Sequence, residues 1–174
     1  MSNLAFASTS LRDDLEALHP ESFGWALACC DGRRDDAEDA LHQSYLKVLA
    51  GQARFGGRSS FKTWFFGVVR LTALELRRRN RWQRVLTLDI LRDDPPTADE
   101  DPERDVTSKQ NAERLRQALR RLSGRQRQVL HLVFYQDLTL DEASTVVDLP
   151  IGTVRTHYER GKKRLRQILA EETL

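Results

Sequence analysis

Aromatic side chains make up only 7% of the chain, and glycine (9) and proline (5) are sparse. An all-β sandwich or barrel needs many turns, so that class is excluded. No apolar run approaches the roughly 20 residues that a membrane helix requires. The opening stretch MSNLAFASTS has no basic n-region and no true apolar h-region. A secretory signal is therefore not read, a cytoplasmic protein is expected, and no direct membrane insertion is expected. There are two cysteines, Cys29 and Cys30, and they are adjacent. Neighbouring cysteines are poorly placed to bridge each other, and two thiols do not complete a zinc site. They read as two small residues buried on a helix, and no other feature supports a redox role.

What is present is a core-forming, charge-rich chain. Of 174 residues, 40% are hydrophobic and 31% charged, which excludes wholesale disorder. The length suits one ordinary domain or two small ones. The net charge of +2 hides strict segregation. Residues 12–41 carry three basic and nine acidic side chains, and residues 54–84 carry nine basic and one acidic. Residues 92–105 carry two basic and seven acidic, and residues 109–169 carry thirteen basic and six acidic. Basic blocks of this density suit a polyanion, most simply nucleic acid. Solvated helix faces would explain one such block but explain the segregation less well.

Apolar residues recur at helical spacing from Leu11 to Val85 and again from Thr107. Between them RDDPPTADEDPERD has three prolines, seven acids and no large apolar residue. Such a segment cannot bury enough surface to order itself. The expected architecture is all-α: two small helical domains, 1–88 and 109–174, joined by a flexible acidic linker, 89–108. Both are near the lower limit for an independent core, so packing against a partner should matter.

In the second unit Leu115–Leu122 and Gln126–Tyr135 read as helices. Thr139 precedes Leu140-Asp141-Glu142, the signature of a capping box, and opens a helix to Val147. Asp148-Leu149-Pro150-Ile151-Gly152 breaks it, and Thr153 is expected to cap a longer helix from Val154 to about Leu169. Two short helices, a tight break and a basic helix make a helix-turn-helix. On the last helix Val154, Tyr158, Gly161, Leu165 and Ile168 share one face. Arg155, Thr156, Glu159, Arg160 and Lys163 share the opposite one. Arg forks read guanine edges and Lys neutralises phosphates.

In the first unit Asp35-Asp36-Ala37-Glu38-Asp39 opens a helix, where acids favour the dipole. Leu41, Tyr45, Val48 and Leu49 form its apolar face; Asp39, His42, Gln43 and Lys47 look outward. A basic, glycine-bearing loop follows, Arg54-Phe55-Gly56-Gly57-Arg58-Ser59-Ser60. The next helix runs from Phe61 to Arg79, with Phe61, Trp64, Phe65, Val68, Thr72 and Leu76 facing inward. Lys62, Phe66, Arg70, Ala73 and Arg77 form a second stripe. An exposed aromatic among cations suits single-stranded nucleic acid, with Phe66 and Trp82 as the candidate rings.

Three segments together, DDAEDALHQSYLKVL, RFGGRSSFKTWFFGVVRLTALELRRR and LSGRQRQVLHLVFYQDLTLDEASTVVDLPIGTVRTHYERGKKRLRQIL, resemble a bacterial RNA polymerase sigma factor. The group is the extracytoplasmic-function (ECF) group of the sigma-70 family, and the likeness covers roughly residues 20–170. The resemblance implies that Asp36, Glu38, Asp39, Leu41 and Gln43 dock on the β′ clamp helices of core polymerase. It implies that Arg54, Phe55, Arg58, Ser59, Ser60, Lys62, Phe66, Arg70 and Arg77 hold the minus-ten element of promoter DNA. It implies that Gly152, Thr153, Arg155, Thr156, His157, Glu159, Arg160 and Lys163 read the minus-thirty-five element, with the β flap as a second polymerase contact. The family often has Gln-Glu where this chain has His42-Gln43, and Ala-Arg-Asn where it has Val69-Arg70-Leu71. An anti-sigma factor is a further partner that the resemblance implies.

Three other classes fit less well. A partner-binding protein with no DNA function wastes both basic faces. A stand-alone helix-turn-helix regulator of LuxR-like type fits Thr153–His157 but leaves residues 11–85 unexplained. An enzyme fits less well. His42, His131 and His157 lack a paired carboxylate or thiol, and Gly56-Gly57 lacks the Lys-Ser/Thr of a phosphate loop. No cofactor, metal or catalytic residue is expected.

Overall fold

The computed structural model describes residues 11–86 and 106–171. Among them every regular element is a helix, and none is long and apolar enough to cross a membrane. The chain divides into two compact units, Met1–Pro96 and Thr97–Leu174. Residues 89–105 of the expected linker, and the stretch 1–10, lie outside the described residues.

The first unit packs α1 (His19–Cys29), α2 (Arg34–Leu49) and α3 (Phe61–Leu86) against one another, each touching the other two. Trp25 of α1 is fully buried; its indole Nε1 donates to the Phe66 carbonyl at 2.9 Å, and its ring stacks on Phe66 at 6.0 Å. The indole therefore fills the core without leaving its N–H unsatisfied. The corner between α1 and α2 turns through Asp31 (φ 59°) and Gly32 (φ 80°). Arg77 of α3 pins that corner. Its guanidinium donates to the Cys29 carbonyl at 3.2 Å and pairs with the Asp31 carboxylate at 2.9 Å.

The packing faces differ from the expected ones in three ways. On α2 the buried residues are Ala37, Ala40, Leu41, Ser44 and Val48. Small side chains let the helix approach its neighbours, so Tyr45 is only half-buried and Leu49 is 48% exposed. Lys47 does not look outward but pairs with Glu75 at 2.5 Å and donates to Thr72 at 3.2 Å. On α3 both Phe65 and Phe66 are fully buried, together with Val69, Arg70, Thr72 and Ala73. That helix contacts two partners, α1 and α2, and so buries a wider arc than one stripe.

The second unit contains α4 (Val106–Arg120), α5 (Gly124–Phe134), α6 (Leu140–Val147) and α7 (Ile151–Glu171). Ala118, Leu122, Leu130 and Ile168 form a buried cluster flanked by Leu119, Tyr158, Leu165 and Leu169. Gly161 permits the close crossing of α5 and α7. A Cβ there would sit 3.2 Å from Leu130 and 3.3 Å from Gln126.

Two capping boxes set the helix starts. Ser123 caps α5 with Gln126, and Thr139 caps α6 with Glu142. Each satisfies backbone N–H groups that a helix start leaves without partners. Thr139→Ala is expected to cost about 1 kcal/mol. Urea unfolding of the full chain would read this as a lowered midpoint, and an unmoved midpoint would mean the box contributes nothing. Between α6 and α7, Asp148 takes the left-handed conformation (φ 51°) and ends α6. The Pro150 carbonyl then accepts from Thr153 N–H at 2.9 Å and Val154 N–H at 3.1 Å, so α7 already starts at Ile151. Thr153 therefore lies inside the first turn and is not the cap that the sequence suggests.

Candidate nucleic-acid interface

Helix α7 has a long exposed face. Val154, Gly161 and Ile168 are buried, which turns Gly152, Thr153, Arg155, Thr156, Glu159, Arg160 and Lys163 to solvent. His157 is half-buried at the edge of that face. The Thr156 hydroxyl donates to the Gly152 carbonyl at 2.9 Å. Lys162 leans away over the Tyr158 ring, 4.5 Å from its centroid. The outcome is a helix set on a capped two-helix support with cations along its free side. That geometry suits entry into a major groove.

In the first unit the loop before α3 is open. Arg54, Phe55, Gly56, Gly57, Arg58 and Ser60 are exposed, and Ser59 is half-buried. Ser60 Oγ accepts from the Thr63 N–H at 3.1 Å and so holds the loop to the start of α3. Phe55, 43% exposed, leans edge-on to Phe61 at 5.5 Å and lies 5.4 Å from Trp64. Phe61 and Trp64 are half-buried rather than core, and their rings are 5.3 Å apart. A solvent-facing aromatic cluster therefore stands beside Arg54 and Arg58.

Three sequence-based site residues, Phe66, Arg70 and Leu41, are buried, and two more, Arg77 and Lys62, are part-exposed and paired within the fold. Phe66 is not an exposed ring: it is fully buried on Trp25, so it cannot stack on a base. Arg70 is 4% exposed in the same interior. Arg77 is committed to Cys29 and Asp31. Leu41 is 3% exposed and belongs to the α2 core face, so it offers no surface for docking. Lys62 remains at the surface but pairs with Glu21 at 2.6 Å. The aromatic role that sequence reasoning gave Phe66 has its geometric counterpart in Phe55, Phe61 and Trp64. The signal for this was an aromatic in a glycine-bearing loop followed by two more at helical spacing.

The outer face of α2 is acidic. Asp35, Glu38, Asp39, His42, Gln43 and Leu46 are exposed. Asp36 pairs with Arg33 at 2.5 Å and Glu38 with Arg34 at 2.8 Å, whereas Asp39 projects one turn further along. Both thiols are free and buried. Burial pushes Cys29 well above the usual thiol range and Cys30 up to about 12, so the thiolate is scarcely populated at neutral pH. Burial likewise pushes the His131 imidazole down to about 4. Gln136 lies 3.1 Å from its Nε2, and the ring is a neutral part of the core.

These two units define a class: a helical body with an acidic outer helix, and a helix-turn-helix whose last helix has a basic exposed face. Residues 15–83 match the family Sigma-70 region 2, and residues 118–167 match Sigma-70, region 4. The chain is 30% identical over 147 residues to the ECF RNA polymerase sigma factor SigX of Bacillus subtilis (strain 168). That match covers 81% of this chain and 76% of SigX. The RNA polymerase sigma factor YlaC of the same organism is 25% identical over 159 residues, covering 90% and 92%. The solved structure of the sigma factor RpoE of Bartonella quintana, in complex with the anti-sigma factor NepR, shares the fold. Its TM-score is 0.77 at 22% identity, over 92% of this chain and 97% of that one. The chain belongs to the ECF group of RNA polymerase sigma factors. Sigma factors are transcription initiation factors and not enzymes.

Proposed function

We propose that this chain binds core RNA polymerase, recognises promoter minus-ten and minus-thirty-five elements and starts transcription of a specific set of genes. The observation that carries the reading is three separate exposed faces on one ECF chain. The acidic face of α2, with Asp39 exposed on it, is the polymerase contact, where Glu38 and Gln43 assist. The loop 54–60 with its aromatic cluster holds unpaired minus-ten bases. Arg155, Thr156, Glu159 and Arg160 of α7 read the minus-thirty-five element, with Lys163 on phosphate. No bond is made or broken by the chain; opening is driven by binding. Base stacking is worth about 1–3 kcal/mol per base, and phosphate contacts add a salt-sensitive term. Two small DNA-binding units gain avidity only when polymerase sets their spacing, so the free chain should bind promoters weakly. The polymerase it serves is cytoplasmic. An anti-sigma factor is proposed as a further partner, supported by the inhibitor-bound state of the Bartonella relative. A stand-alone LuxR-like regulator is not favoured, because it leaves the region 2 unit without a task.

The test is a titration of the purified chain against bacterial core polymerase. Saturable binding is expected, and Asp39→Lys should weaken it about tenfold while leaving the helical spectrum unchanged. An unaltered affinity for Asp39→Lys would remove α2 from the docking surface. No binding by a folded wild-type chain would overturn the reading.

A further inference from the structure

Ile151 opens α7 and is 40% exposed. Its aliphatic side chain therefore stands at the solvent edge of the first turn of a basic helix. Gly152 beside it is unexplained by the fold. A Cβ built there would meet nothing within 4 Å, and its backbone has no left-handed strain. Glycine in a helix is a cost to stability, so a glycine that the interior does not need points outward. Without a side chain at 152, the first turn can press close against a partner. Thr156, one turn on, has its hydroxyl proton committed to the Gly152 carbonyl at 2.9 Å. What it can add outward is a methyl group and acceptor lone pairs. Arg155 lies one turn from Ile151 on the same face. The start of the helix thus presents aliphatic methyls beside a guanidinium.

The first residues of a recognition helix are those that reach base edges. Of the four standard bases only thymine shows a methyl group in the major groove. We propose that Ile151 is a specificity-determining residue that packs on the C5-methyl of a thymine in the upstream promoter element. This rests on the reading of α7 as the upstream recognition helix. The donors and acceptors of Arg155 and Glu159 set neighbouring base pairs, and Ile151 adds a demand that no hydrogen bond can express. Being exposed, Ile151 contributes little to the core, so its truncation should leave the unit folded.

The experiment uses holoenzyme reconstituted from core polymerase and the full chain. A duplex library randomised across the upstream element is selected for binding, and every thymine in the selected element is then replaced singly by deoxyuridine. Deoxyuridine pairs as thymine does and lacks only the methyl. One position is expected at which the replacement weakens wild-type holoenzyme about fourfold, the worth of one buried methyl. At that position Ile151→Ala should bind thymine and deoxyuridine equally. Selection with Ile151→Ala should also lose the thymine preference there and retain the others. If no deoxyuridine replacement matters, or if Ile151→Ala responds as wild type does, the assignment to Ile151 is wrong. If wild-type holoenzyme selects no upstream sequence at all, the reading of α7 itself fails.

Discussion

Phe66→Ala is expected to unfold the region 2 unit, whereas Phe55→Ala, eleven residues earlier, is expected to leave it folded and impair promoter opening. Both are aromatic residues in the basic half of that unit, and composition does not tell them apart. Phe66 is fully buried, its ring stacks on Trp25, and its carbonyl accepts the Trp25 indole N–H. Truncating a buried phenylalanine costs about 3–5 kcal/mol through lost transfer energy and the cavity left behind. A domain has roughly 5–15 kcal/mol in total, and a unit this small lies toward the low end, where such a loss takes most of the margin. Phe55 instead sits half in solvent and touches Phe61 and Trp64 from outside. Its removal should cost under about 1 kcal/mol of stability, as surface changes do. If it stacks on an unpaired base, its loss should reduce open-complex formation roughly 5- to 150-fold, the equivalent of about 1–3 kcal/mol. Urea unfolding followed by tryptophan fluorescence separates the two, alongside permanganate footprinting of the melted strand. A folded Phe66→Ala that fails only in melting would show that the buried placement is wrong.

The contrast between these two residues marks what was legible in the sequence and what was not. In the second unit the reading was close. Helix α6 was found from Thr139 and Glu142, because a capping box is a local device whose parts are three residues apart. The inward face of α7 was found from Val154, Gly161 and Ile168, because that helix buries a single stripe. The equivalent device at Ser123 and Gln126 was passed over, which placed the start of α5 two residues late. Pro150 does belong to the break, but Ile151 and Gly152, which the sequence reading places there too, already form the first turn of α7. That misplaced the beginning of α7 and left Thr153 wrongly as its cap.

In the first unit the helix faces are legible only in part: Leu41, Val48, Phe65 and Thr72 are buried as their spacing suggests, and other positions are not. Counting apolar residues favours Tyr45 and Leu49 on α2, yet Ala37, Ala40 and Ser44 make the contact. Small residues carry little hydrophobic signal, and their value lies in how closely they let backbones approach. On α3 a single stripe was assumed, but the helix lies against two partners. Thr63, Thr72 and Arg70 are buried there although none is apolar. Arg77 shares a helical stripe with Lys62 and Arg70, and that spacing does not reveal its partner within the fold, Asp31, which is far away in sequence. Charge segregation therefore separates the acidic face of α2 from the basic face of α7 but does not say which cations the fold itself uses.

That distinction sets the second large expectation, at Arg160 and Lys163. Both are exposed on α7, opposite the buried Val154, Gly161 and Ile168. An arginine that forks onto a guanine edge is worth about 1–3 kcal/mol of discrimination, so Arg160→Ala should weaken promoter binding by holoenzyme roughly 5- to 150-fold. The loss should be concentrated on one base pair, so a template altered at that pair should no longer distinguish wild type from variant. Affinity for core polymerase should be unchanged, because Asp39 and the α2 face lie in the other unit. Lys163→Ala should behave differently. A phosphate contact carries no sequence information, so its loss should weaken all templates alike and reduce the salt slope by about one. Binding isotherms for both variants at several salt concentrations, on the selected promoter and on single-base changes of it, give the comparison. If Arg160→Ala instead shows the uniform, salt-linked loss and Lys163→Ala the base-specific one, the helix enters the groove rotated from the orientation drawn here. If neither variant alters promoter binding, the exposed side of α7 is not the face that meets DNA.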